Sequence, residues 1–176
     1  MFLDLWQSVN DWLCMHDCGA IICGSSDSAR VQAVQYISNQ LQSKYGTTFP
    51  IYHYTACERV PTQTDFFIKI LTAVGYQGEL RKDSLFLFQQ IITSIQNSAK
   101  NTFYRKAILI VEDAQKLSEK EYQWLIDIYN HLYARDIILT VLFFGSEKLK
   151  EEKRKYIKKG KEQIVHRYMI KEFEIK

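Results

Sequence analysis

Short apolar runs rich in β-forming residues, separated by stretches with helical spacing, limit what this chain can fold into. The runs span residues 18–23, Pro50–Thr55, Lys106–Val111, Ile137–Phe144 and Met169–Ile175. A first amphipathic helix is predicted from Phe2 to near His16, because Phe2, Leu3, Leu5, Trp6, Val9, Trp12 and Leu13 recur at helical spacing. Further helices are predicted over Ser28–Tyr45, closed by Gly46, and over Thr62–Val74, capped by Thr62 or Thr64 and ended by Gly75. Leu85–Ile95 and Leu117–Tyr133 complete the helical set. Strands that alternate with helices are joined by crossovers, which implies an α/β fold with a parallel sheet covered on both faces. Ligands in such sheets bind at the carboxyl ends of the strands. That places Gly24, Glu112, Asp113, Gly145 and Ser146 on one edge of the molecule.

At 176 residues the chain suffices for one domain with a sizeable core. The expected division is an N-terminal amphipathic helix over 1–17 and a core over 18–176. No apolar run approaches the ~20 residues that a membrane helix needs. Asp4 and Asp11 interrupt the apolar face of the first segment, which lacks a basic start and a cleavage site. A cytoplasmic address is therefore expected, with no membrane partner. Cys14, His16, Cys18, Cys23 and Cys57 invite a zinc reading, but paired Cys-x-x-Cys spacing is missing and Cys23 belongs to a strand. Free thiols, buried as small hydrophobes, fit better.

The first apolar strand runs into Gly24-Ser25-Ser26-Asp27-Ser28-Ala29-Arg30-Val31, a stretch laid out like a phosphate-binding loop. Such a loop needs a second glycine, a lysine for the β and γ phosphates, and a hydroxyl for magnesium. Ala29, Arg30 and Val31 stand in those places, and Asp27 adds a negative charge. A simpler reading makes Ser26, Asp27 and Ser28 a helix cap. The third strand ends in Val111-Glu112-Asp113-Ala114-Gln115. Apolar β residues followed by two acids are the pattern in which one carboxylate holds magnesium and the next polarises an attacking water. Glu112 is thus the candidate magnesium ligand and Asp113 the candidate catalytic acid, although an apolar strand leaving a core can end the same way.

Net charge is only +3, but it is unevenly spread. Lysine and arginine outnumber acids from Lys148 onward, and Lys153, Arg154, Lys155, Lys158, Lys159 and Lys161 form a candidate surface for double-stranded DNA. The competing reading is a solvated helix face and loop.

Three segments together resemble the Walker A, Walker B and sensor 1 motifs of AAA+ ATPases. They are Gly24–Arg30, Ile108–Gln115 and Leu142–Leu149. The nearest resemblance is to the TniB, TnsC and MuB type regulators of DNA transposition, supported by Tyr54–Thr62 and Ile164–Tyr168. The resemblance implies a P-loop NTPase core: a three-layer sandwich whose five-stranded parallel sheet runs last, first, fourth, third, second, with the first strand central. It implies ATP and magnesium as cofactors, nucleotide contacts from Gly24 to Val31, Glu112 and Ser146, and Arg167 as an arginine near a subunit interface. It also implies oligomers, with homologous subunits or a transposase as protein partners. The departures bear on the same residues: Arg30 and Val31 replace lysine and a hydroxyl residue, Glu112-Asp113 reverses the usual order, and the relatives' helical lid has no counterpart before Lys176. One expectation is a degenerate AAA+ module of interaction or assembly in which ATPase activity is weak or lost. The alternatives are an active ATP-dependent regulator and a nucleic-acid-binding protein that uses no nucleotide.

Overall fold

The structure, a computed structural model, describes residues 2–59, 62–100, 102 and 104–176. Its strands are β1 (Gly19–Gly24), β2 (Ile51–Thr55), β3 (Lys106–Glu112), β4 (Ile138–Gly145) and β5 (Lys171–Ile175). All pair in parallel, in the order β2-β3-β4-β1-β5. This is the order that the resemblance implies. β1 lies inside the sheet between β4 and β5, while β4 takes the middle place.

The helices are α1 (Phe2–Cys14), α2 (Asp27–Tyr45), α3 (Gln63–Ala73), α4 (Ser84–Ala99), α5 (Glu119–Tyr133) and α6 (Lys148–Lys158). Alternation along each strand sends successive side chains to opposite faces. Ala20, Ile22, Ile108, Ile110, Leu142 and Phe144 face α1 and α2, in one core with Leu5, Val9, Ile37 and Leu41. Ile21, Cys23, Leu109, Val111, Val141 and Phe143 face the other way, beneath α3, α4 and α5. The result is three layers. Close packing explains Gly19: a Cβ there would lie 2.6 Å from the Val141 carbonyl oxygen on the neighbouring strand.

Local signals set the helix starts. The Thr62 side chain accepts from the Asp65 amide, and Asp83 caps α4 through the Leu85 and Phe86 amides. At α5 the Ser118 and Glu121 side chains satisfy each other's backbone amides in a reciprocal box. Thr62 is therefore the cap, and Gly75 follows α3 at φ +78° as a glycine stop requires.

The structure differs from the sequence reading mainly near the C-terminal end. α6 is a full helix, held by Leu149 and Tyr156 seven positions apart. A short helical piece, Glu162–Ile164, then passes into a π-helical turn over Val165–Met169, which brings Tyr168 wholly into the core against Tyr122 and Phe143. Met169 is spent in that turn, so β5 begins only at Lys171. Among the described residues no helix is long and apolar enough to cross a membrane.

Candidate functional site

The carboxyl ends of β1, β3 and β4 share one edge of the sheet. There, a cleft of about 420 Å³ is lined by Asp27, Arg30, Val31, Glu112, Asp113, Gln115 and Lys116, with Val34 and Phe144 behind them. Two distant stretches of the chain, the foot of α2 and the turn after β3, thus meet as the acid pair and the glycine-led segment suggested.

The turn from β1 into α2 is short. Only Ser25 and Ser26 lie between Gly24 and Asp27, and the helix starts one residue earlier than the sequence reading had it. Ser26 is the cap: its Oγ accepts from the Ala29 amide at 3.4 Å, and its carbonyl accepts from the Arg30 amide at 3.1 Å. Ser26 and Ser28 hydroxyls lie 2.9 Å apart. One of the orphan amides that could face an anion, that of Ala29, is therefore taken within the chain. The Arg30 guanidinium donates to the Gly24 carbonyl at 2.7 Å and pairs with Asp27. A Cβ at Gly24 would lie 3.1 Å from Arg30 Cγ, so the absence of a side chain lets Arg30 fold back. Ala29 is half-buried, while Ser25, Ser28 and Val31 are exposed.

Across the cleft, Glu112 ends β3, and its carbonyl accepts from the Ala56 amide at 2.9 Å. Asp113 takes a left-handed conformation, φ 53° and ψ 35°, which few side chains other than Asp and Asn tolerate. Its carboxylate accepts from Lys116 Nζ at 2.9 Å and from Gln115 Nε2 at 3.4 Å. The Lys116 hydrogen bond, and next to it the charges of Lys116 and Arg30, hold the Asp113 carboxyl below its ordinary range. Gln115 Oε1 in turn accepts the Ser146 amide at 3.0 Å, so one side chain joins the turn after β3 to the turn after β4. A Cβ at Gly145 would lie 2.5 Å from that Oε1, so a larger residue there would have to displace the Gln115 side chain from the Ser146 amide. The Ser146 hydroxyl is buried without a partner among the described residues.

Gln115 stood in the acid-ended segment without an assigned role, and Lys116 escaped the sequence reading. Their position one helical turn past the acids was the available signal, but neither residue type is specific to such a role.

The other candidates lie apart from the cleft. Arg167 sits in the π turn with its guanidinium carbon 4.9 Å from the Tyr129 ring centre, near the amino end of the sheet. The basic candidates divide. Lys153 pairs with Glu172, Lys155 with Glu152 and Lys161 with Glu119, whereas Arg154, Lys158 and Lys159 are exposed and pair with no acid among the described residues. Val60 and Pro61, part of the segment Tyr54–Thr62, lie outside the described residues.

The cysteines are free, and no group of three metal-binding side chains assembles among the described residues. Burial pushes the Cys23 thiol up to about 11, which keeps it neutral.

The donor set fits magnesium nucleotide in part. Glu112 lines the cleft as the acid that could hold a cation, and Arg30 and Lys116 line it as positive charges. Position 31 offers no hydroxyl, and Arg30 is engaged by the chain's own groups.

A family model described as an AAA domain matches residues 16–151. No similar sequence is found among curated proteins. Among solved structures, the Orc1 protein of Aeropyrum pernix, determined in complex with DNA, superposes with a TM-score of 0.68 at 10% sequence identity. The match covers 99% of this chain and 44% of the Orc1 chain, so this chain spans less than half the length of that relative. At that identity the likeness is one of fold. The sheet order, the cleft at the carboxyl edge and the family match over most of the sequence agree, and the chain belongs to the AAA domain family.

Proposed function

We propose that this AAA domain serves as an interaction or assembly module of the transposition-regulator type, acting in the cytoplasm with weak or absent ATP hydrolysis. The observation that carries the reading is the engagement of Arg30. A working loop presents its cation to the phosphates, whereas here the guanidinium is turned onto Gly24 and Asp27. The missing hydroxyl at Val31 and the reversed order Glu112-Asp113, which puts the shorter acid where a glutamate is usual, support the same reading. When bound, magnesium would neutralise phosphate charge; the chain's contribution would be Glu112 toward the cation and Arg30 toward the anion. Each lost element of charge stabilisation lowers turnover, and together they make a loss of roughly 10³-fold the expectation.

Calorimetric titration with ATP and magnesium, paired with phosphate release, tests the reading. Affinity weaker than micromolar and no release above background are expected. Sub-micromolar binding with steady turnover would overturn it in favour of an active regulator.

Binding of double-stranded DNA is a second reading. It is favoured by Arg154, Lys158 and Lys159 at and just past the end of α6, which are exposed and pair with no acid among the described residues, and by the DNA in the Orc1 complex.

A further inference from the structure

At the amino edge of the sheet, away from the cleft, the ends of α1 and α2 and the start of β3 enclose a pocket of about 250 Å³. Its walls are aromatic. Tyr45 and Phe49 stack with ring centres 4.8 Å apart, and Tyr104 meets Phe49 edge-on at 6.5 Å. The Tyr45 hydroxyl donates to Asn10 Oδ1 at 2.7 Å, which fixes that ring in place.

Lys106 also lines this pocket and is only 3% exposed. Its ammonium donates to the Leu13 carbonyl at the end of α1. An ammonium carries three N–H groups, and the described residues supply an acceptor for that one alone. No carboxylate pairs with it among them: Asp17, whose charge acts on it, stands 3.7 Å from Lys171. The helix end offers only a partial negative charge, roughly half a unit. A buried cation without a full counter-charge is costly, and burial lowers the Lys106 pKa despite Cys14 and Asp17.

We infer that this pocket binds a small aromatic carboxylate, its ring among Tyr45, Phe49 and Tyr104 and its carboxylate on the free N–H groups of Lys106. One cation matches one negative charge, and the apolar walls disfavour a more highly charged, strongly hydrated anion such as a phosphate ester. The volume lies just below the ~300–1,000 Å³ of sites for drug-sized ligands, which suits an acid of one or two rings. The inference is independent of the nucleotide cleft.

The test is titration of the full chain, labelled with ¹⁵N, by benzoate and indole-3-acetate beside the neutral benzamide and indole-3-acetamide. Amide shifts at Leu13, Cys14, His16 and Phe49 are expected, with none at Asp27 or Asp113. The acids should bind on the order of tenfold more tightly than their amides, as a charge-assisted hydrogen bond requires. Lys106→Met should erase that preference while leaving amide binding in place. If that variant fails to fold, the acid-to-amide ratio on the unaltered chain decides, and Tyr104→Ala, at an exposed ring, should weaken both ligands. Equal affinity for acid and amide would overturn the inference. So would shifts confined to the carboxyl-edge cleft, or no shifts at millimolar ligand.

Discussion

Asp113 combines a backbone cost with a charge that its neighbours stabilise. A residue with a Cβ held near φ 53° costs about 1–2 kcal/mol over glycine. Asp113→Gly and Asp113→Ala lose the same carboxylate contacts, so their difference isolates the backbone. The glycine variant should be the more stable, by about 1 kcal/mol in urea melts. The charge has its own signature. Because the folded pKa lies below the ordinary carboxyl value, Asp113 contributes stability above that ordinary value and loses it as pH falls through the lower, folded one. Lys116→Met should raise the Asp113 pKa toward the ordinary range, as read by carbon-detected NMR titration. An unchanged titration would mean that Lys116 does not dominate and that Gln115 and Arg30 hold the carboxyl low. This residue also marks the limit of sequence reading. The order Glu112-Asp113 pointed to a cleft, but whether an aspartate turns left-handed and finds a lysine three residues on depends on the chain around it.

Among the elements, the strands were the most legible. β1, β3 and β4 are buried on both faces and so appear as nearly continuous apolar runs, which their short length and β-forming residues mark as strands. α6 was the least legible, because two apolar anchors in a lysine- and glutamate-rich stretch look like any solvated segment. The π turn that follows has no side-chain signature, since one extra residue in a turn changes hydrogen bonding and leaves composition alone. α6 also bears on DNA binding. The residues facing inward pair with β5, Lys150 with Glu174 and Lys153 with Glu172, which leaves Arg154, Lys158 and Lys159 to meet phosphates. If they do, each neutralised duplex phosphate adds about −0.9 to the slope of log affinity on log salt. Replacing all three by glutamine should flatten the slope for a random duplex by about 2–3, measured by fluorescence anisotropy. Replacing Lys153, Lys155 and Lys161 should change it less. An equal effect from both sets would place the contact elsewhere.

For the molecule as a whole, the question is whether the cleft is closed to nucleotide or merely under-equipped. The triple variant Ala29→Gly, Arg30→Lys, Val31→Thr removes the Arg30 engagement, loosens the first turn of α2 and restores a hydroxyl. It should gain affinity for magnesium ATP by at least the roughly tenfold expected of one charge-assisted contact. No gain in calorimetry would show that the two-residue turn between β1 and α2 itself bars the ligand. The order of the strands also has a consequence for a chain that folds as it is made. β1 leaves the ribosome first among the strands, yet its partners are β4 and β5, supplied by residues 138–145 and 171–175. Until those arrive, six residues that end up wholly buried present bare edges on both sides. During synthesis β1 therefore waits for edges that only residues 138–145 and 171–175 supply, and α1 and α2, on one face of the sheet, are the earlier elements that can cover it.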